Sequence, residues 1–372
     1  MTTGENGAPL LLMTPGPTRV PDRVLRAGAR PMIHHRTPEF SRELADAIAL
    51  LAPVFGTRVR PMPIHTTGRG ALEAAICNLF SPGDEIAACC NGKFGEMWAD
   101  LAALYGLVVH RWSPSWERDA DPRELDALLE RWPRTKAVTV AYGDSSTGVA
   151  NDVASLAKVA ASRGALILVD GVSSIGGMPF ELDEWGVDLA VVASQKCLMS
   201  ATGLSFVAMS DRAWSAAATA RLPRSYWDFG GVRAAISGPT AETPGSAPVH
   251  LVLQVAEALR QIHEEGVAAV RARHHATALR LRRGLAELGL EPQCPLLERR
   301  SDTMTAIALP SGVAPKAFRA AIKAGGILTA AGLGPYEATG VRIGHMGDIR
   351  AADVDVTLAA IRRALAGELA PR

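Results

Sequence analysis

Between residue 38 and about residue 290, short apolar runs rich in β-branched residues alternate with stretches of helical period. No other feature of the chain restricts its fold as much. The strand-like runs are "EIAACC", "GLVVHRW", "KAVTVAYG", "ALILVD" and "VDLAVVAS". The helical stretches include "PEFSRELADAIALLAPVFG", with Pro38 near its start and Gly56 past its end, "GALEAAICNLF", "PRELDALLERW" and "DVASLAKVAASRG". Strand, helix, strand at this spacing predicts an α/β fold with a largely parallel sheet covered on both faces. Residues 208–247 read as irregular, being rich in Gly, Pro, Ser and Thr. A long helix then begins near His250 and continues past Gly266 through "AVRARHHATALRLRRGLAEL". The strand-like runs "TMTAIALP", "GILTAAG" and "GVRIGHMG", with helices at "PKAFRAAIKAG" and "DVDVTLAAIRRAL", predict a smaller α+β domain. The expected division is residues 1–248, including an N-terminal arm of about residues 1–37, and residues 249–372.

Composition bounds what such a fold can do. The chain has 372 residues, 48% hydrophobic and 21% charged, enough for a large core. Lys+Arg 39 against Asp+Glu 38 leaves a net charge of +1, without the basic excess expected of a nucleic-acid partner. Cys77, Cys89, Cys90, Cys197 and Cys294 form no C-x-x-C pair, and their odd number suits free thiols in a reducing compartment. No run approaches the roughly 18 apolar residues of a membrane span, and the N-terminus lacks a signal-peptide pattern. A cytoplasmic protein with neither membrane nor nucleic-acid partner is expected, and no metal site.

Two charges stand where the pattern predicts burial. Lys196, in "VVASQKCLMSATG", follows the apolar run "VDLAVVAS", and Asp170 closes "ALILVD". Each also reads blandly, as a strand-end loop lysine and as a turn or cap aspartate. In a parallel sheet both would face the crevice beyond the carboxyl ends of the strands. A lysine for a Schiff base and a carboxylate for a pyridinium nitrogen are the pair that pyridoxal 5'-phosphate requires. "HTTGRGALEAA" puts Thr66, Thr67, Gly68 and Arg69 at a helix start, an anion site as well as an ordinary capped helix. "CNGKFGEMWAD" offers Phe94 or Trp98 to stack on a flat ring, although either also reads as core. Arg342 lies inside the apolar strand "GVRIGHMG", where a guanidinium needs an anion: a substrate carboxylate or a structural salt bridge.

In their order along the chain these segments resemble the class V aminotransferases among the fold-type I pyridoxal-phosphate enzymes, in the alanine–glyoxylate and serine–pyruvate branch. The resemblance runs through "TPGPT", "HHRTPEF", "TGRGALEAA", "NGKFG", "GDSSTGV", "VDGVSSIGG", "SQKCL" and "RIGHMG". It implies a large domain with a mostly parallel seven-stranded sheet and a smaller C-terminal domain. It also implies that Lys196 holds the cofactor covalently and that Asp170 binds the pyridine nitrogen. Val172 would pack beneath the ring and Phe94 above it, with Thr67, Gly68, Arg69 and Gln195 around the phosphate. Ser145 would lie near the cofactor oxygen and the substrate; Gly16 and Arg342 would contact substrate. A homodimer with shared active sites is implied, Ser246 of "ETPGSAPV" completing the other subunit's phosphate site. Thr243 stands where related enzymes carry tyrosine or asparagine, which separates this chain from both.

The reaction implied is ping-pong transamination from a small donor of alanine or serine type to a 2-oxo acid such as glyoxylate or pyruvate. Arg69 is closer to the ureidoglycine–glyoxylate pattern, while "RIGHMG" is similar to pyridoxamine–pyruvate aminotransferases, so both stand as alternatives. A lyase such as a cysteine desulfurase would need a reactive cysteine late in the chain. Cys294 in "EPQCPLLE" has no nearby histidine or glycine-rich loop. A non-catalytic module would be expected to lose Lys196 or Arg342. A nicotinamide dehydrogenase is not expected, because no G-x-G-x-x-G joins a first strand to a helix. His34, His35 and Arg36 read as entrance or surface residues, and His345 as a packed strand histidine.

Overall fold

The computed structural model describes residues 9–367, so the first eight and last five residues of the two expected domains lie outside it. Its strands, in chain order, are β1 (Leu11–Leu12), β2 (Met62–Ile64), β3 (Glu85–Cys89), β4 (Val108–Trp112), β5 (Thr135–Ala141) and β6 (Leu166–Asp170). They continue as β7 (Leu189–Ala193), β8 (Ser205–Met209), β9 (Met304–Ala308), β10 (Ile327–Leu328), β11 (Ala330–Ala331) and β12 (Gly340–Gly344). Seven of them form one sheet in the order β2-β8-β7-β6-β5-β3-β4. The β4, β3, β5, β6 and β7 pairings are parallel, and β8 runs antiparallel to both β7 and β2. The mostly parallel seven-stranded sheet is therefore present. β3, β5, β6 and β7 are buried almost throughout, as strands covered on both faces must be.

The remaining strands form a three-stranded antiparallel sheet, β11-β12-β9, and a parallel pair, β1-β10. "GILTAAG" thus splits in two, because Ile327 and Leu328 pair with the N-terminal arm while Ala330 and Ala331 pair with β12. Residues 208–247, expected to be irregular, hold the helices Asp211–Thr219 and Phe229–Ser237. Ser210 caps the first by accepting from Ala213 N, and Asp228 caps the second by accepting from Gly230 N and Gly231 N. The long C-terminal helix is two, Val249–Glu265 and Val267–Glu287, parted at Gly266 with φ +91°.

Apolar packing divides inside the helix Val267–Glu287. Val270 and seven buried residues of Val249–Glu265, among them Val252, Leu259 and Ile262, join the cluster around the large sheet. Leu281 and Leu285 join the cluster of β9, β12 and the last helix, which Met13 of the arm also enters. The expected division after residue 248 precedes this change. Backbone bonds stitch the two parts together, Ala150 N to Arg299 O at 2.7 Å and Ser301 N to Gly148 O at 2.8 Å, while Gly344 N to Met13 O at 2.9 Å ties the arm to β12.

Candidate active site

β6 and β7 are neighbours in parallel register, with Asp170 opposite Val191, so Asp170 and the turn carrying Lys196 emerge at the same edge of the sheet. The turn is held from outside. Thr18 donates its backbone N–H to Gln195 O at 3.0 Å and its hydroxyl to Lys196 O at 3.1 Å. Lys196 Nζ donates to the Pro15 carbonyl. Gly16 has φ +111°, and a Cβ there would come within 2.6 Å of Lys196 Cδ and Cε. Only glycine lets the arm cross the lysine this closely. Burial lowers the Lys196 pKa to about 8, with Asp170 opposing the shift.

Asp170 is buried and its Oδ1 accepts Val172 N at 2.9 Å. Among the described residues no Lys, Arg or His nitrogen lies within salt-bridge distance of it. Burial raises its pKa to about 6; the Val172 N–H and Lys196 act against that, while Asp144 adds to it. Val172 in turn contacts the start of the helix Gly68–Leu79: a Cβ on Gly68 would lie 2.7 Å from Val172 Cγ2. Thr67 is the N-cap of that helix, yet its side chain makes no capping bond. Thr67 and Arg69 are exposed at this helix start, and Ser205 Oγ steadies the approach by donating to Thr66 O at 3.1 Å. Gln195 Oε1 is buried with no partner.

A carboxylate that the sequence reading passed over organises the opposite wall. Asp144, 1% exposed, accepts Phe94 N at 3.0 Å, Gly95 N at 3.4 Å, Ser146 N at 2.8 Å and Ser146 Oγ at 2.5 Å. It thereby fixes the first turn of the helix Lys93–Leu104, which carries half-buried Phe94. A Cβ on Gly92 would sit 2.3 Å from the Asp144 Cγ, so the glycine makes room for the carboxylate. The available signal was an acid flanked by small residues in "GDSSTGV", facing a glycine-flanked phenylalanine. Arg342 on β12 joins this wall, donating to Ala331 O at 2.7 Å and to Ser145 O at 2.8 Å. It has carbonyl partners only and no carboxylate within 4 Å among the described residues, and burial lowers its pKa to about 10. Ser145 Oγ is buried without a partner.

Lys196, Asp170, Val172, Gly68, Gln195, Gly16, Phe94, Ser145 and Arg342 thus line or adjoin one region at the carboxyl edge of the sheet. Ser246 does not join them. It is exposed and lines a separate surface hollow with His65, Tyr226 and Val232. Trp98 is core, its Nε1 donating to Leu72 O at 3.2 Å. Thr243 is buried and turns its hydroxyl to Gly245 O at 2.7 Å, while its carbonyl accepts from Arg36 at 2.9 Å. His34 and His35 stack at 4.5 Å. His345 is fully buried, its Nε2 2.9 Å from Thr305 Oγ1.

Fold and site together define an enzyme of the aminotransferase class. The chain belongs to the class V aminotransferase family, whose family model matches residues 11–352. It is 36% identical to a soluble hydrogenase small subunit of a Synechococcus species, over 96% of this chain and 93% of that one. It is 35% identical to the serine–glyoxylate aminotransferase of Methylorubrum extorquens, over 91% of this chain and 86% of that one. The crystal structure of an alanine–glyoxylate aminotransferase from a Nostoc species superposes with a TM-score of 0.92 at 31% identity, covering 96% of this chain and 95% of that one.

Proposed function

We propose that the protein is a pyridoxal 5'-phosphate-dependent aminotransferase. It moves an amino group from a small donor of alanine or serine type to a 2-oxo acid such as glyoxylate or pyruvate, in two half-reactions at Lys196. The observation that carries this reading is the pair at neighbouring strand ends, Asp170 buried and Lys196 half-buried, each held at a cost to its charge. The names of the similar serine– and alanine–glyoxylate enzymes support the donor class.

The residues present fit the cofactor. Asp170 is a buried carboxylate with no cation partner among the described residues, and a protonated ring nitrogen would supply one. Gln195 Oε1 and Ser145 Oγ are buried polar atoms awaiting partners, and the Gly68 helix start offers free N–H groups and the Thr67 hydroxyl to a phosphate. Arg69 would hold the same phosphate, Val172 and Phe94 would lie on the two faces of the ring, and Ser246 of a partner subunit would complete the phosphate site. Pyridoxal phosphate, when bound, supplies an aldehyde that condenses with amines and a ring that accepts electrons.

The chain's own residues do the rest. Arg342, with no carboxylate partner among the described residues, binds the substrate carboxylate in a fork and sets the orientation of the α-carbon, alongside Ser145 and Gly16. Lys196, released as an amine, takes the proton at that carbon; burial brings its pKa to about 8, so much of it is unprotonated in mildly alkaline solution. Asp170 keeps its charge against the ring nitrogen throughout. We place the enzyme in the cytoplasm as a homodimer: its five cysteines are all unpaired and buried, and Ser246 needs a second chain to meet a site.

The test is spectroscopic. Protein loaded with pyridoxal phosphate should absorb near about 410–430 nm, lose that band for one near about 330 nm with L-alanine or L-serine, and regain it with glyoxylate or pyruvate. Borohydride reduction should leave the cofactor on the peptide containing Lys196. Labelling of another lysine, or of none, would overturn the assignment. A response to pyridoxamine or ureidoglycine alone would move the substrate, not the site.

A further inference from the structure

His274 lies behind the Lys196 turn and has no exposed surface. It sits on the helix Val267–Glu287 in the stretch "RARHHATALR", where sequence gives it no role. Nδ1 is 2.7 Å from the Val270 carbonyl, and Nε2 accepts the Gly347 N–H at 3.0 Å. Only a neutral ring protonated on Nδ1 satisfies both neighbours. Gly347, with φ +77°, lies against the lysine turn: a Cβ there would be 3.2 Å from Thr18 Oγ1 and 3.6 Å from Lys196 O. On another side, a Cβ on Gly177 would be 3.0 Å from His274 Cδ2 and 3.0 Å from Cys197 Sγ. The ring therefore touches the turn that follows Asp170 and the turn that follows Arg342, one contact from the lysine backbone. Arg273 reinforces the same loop, donating to Gly347 O at 2.9 Å and to Ile349 O at 3.2 Å while paired with Glu265 at 2.6 Å.

We propose that His274 is a positioning residue for Lys196: its ring pins the Gly347 turn against Thr18 and the lysine carbonyl, and so sets where the amine reaches. The inference rests on Lys196 being the reactive lysine. A buried N–H without an acceptor is costly, so removing the ring nitrogen should let Gly347 move away, and the lysine turn loses its backing. Displacements of about 1 Å at a reacting group are enough to cost roughly a hundredfold in rate.

The experiment compares His274→Leu with His274→Gln in cofactor-loaded enzyme, and in protein freed of cofactor. A glutamine carbonyl reaches the place of Nε2 and accepts from Gly347; leucine cannot. The leucine variant should show a single-turnover donor rate lowered by about tenfold or more with KM within about threefold. The rate at which cofactor-free protein captures pyridoxal phosphate should fall with it, and glutamine should restore both to within about threefold. Equal impairment of the two variants, or none, overturns the proposal. Should the leucine variant not fold, Thr18→Val tests the other end of the same contacts by removing the bond to Lys196 O. It should slow capture several-fold, and an unchanged rate overturns the proposal. Borohydride labelling of Lys196 in the unmodified protein separates the outcomes: if that fails, the function is wrong, whereas if it succeeds and the variants do not differ, only the role of His274 is.

Discussion

Asp170 is an acid kept where its charge is unfavourable. Its folded pKa, raised to about 6 against 3.8 for the free side chain, means that ionisation penalises the folded chain. A raised acid loses stability as pH rises: the penalty is absent below pH 3.8, sets in up to about 6 and is complete above it. The shift amounts to something on the order of 3 kcal/mol. Asp170→Asn should therefore stabilise the cofactor-free protein at pH 8, with an advantage that shrinks as pH falls toward 5, while transamination drops by orders of magnitude. Denaturant melts of both proteins at the two pH values read this directly; a less stable variant at pH 8 would refute it. His274 titrates in the opposite sense. Burial lowers its pKa to about 4, so the unfolded chain takes up the proton first and stability declines from about pH 6.5 down to 4. At this scale the charges of Lys196, Asp170 and Arg342 stand out in the sequence because a charge inside an apolar run is conspicuous. His274 was not, since a histidine on a helix looks the same whether buried or solvated.

Among the elements, the helix Lys93–Leu104 depends on a carboxylate outside itself. Asp144 receives its first N–H groups, so Asp144→Ala would leave buried donors unpaired, at about 1–3 kcal/mol for each group stranded. Hydrogen exchange at Phe94 and Gly95 should speed up selectively in that variant, and pyridoxal phosphate should bind more weakly as the aromatic face loosens. Uniform exchange across the protein would count against a local clamp. β3, β5, β6 and β7 were readable from their apolar runs, because strands covered on both faces need uninterrupted hydrophobic sequence, and the edge strand β4 from its β-branched start "LVV". β2 and β8 were missed: one holds three residues around Pro63, and the other follows directly on the lysine turn. The helices Asp211–Thr219 and Phe229–Ser237 hid in a Gly-, Pro- and Ser-rich stretch, where the cap Ser210 and the C-terminal Gly238 read like turn residues.

Over the whole molecule, the site is assembled from the arm, the large sheet and β12, and Ser246 lies apart from it on a different surface. A homodimer with shared sites makes a particular prediction. Mixed Lys196→Ala and Ser246→Asp proteins, each inactive alone, should regain activity on subunit exchange, because one of the two sites in the mixed dimer is intact. Activity that stays at the level of the separate variants would place Ser246 outside the site. The two packing clusters meet inside one helix, because a continuous amphipathic helix can change the partner of its apolar face without a break. The sequence by itself determined the α/β sheet and the strand-end placement of Asp170 and Lys196, because periodicity and misplaced charge are local properties of a chain, while its motifs from "TPGPT" to "RIGHMG" carried the resemblance to the family. Only the tertiary structure decided that Asp144 clamps Phe94, that Arg342 donates to the carbonyls of Ala331 and Ser145, and that His274 backs the lysine turn. Those contacts join residues far apart in the chain, and burial at such distances is settled by packing, not by the residues themselves.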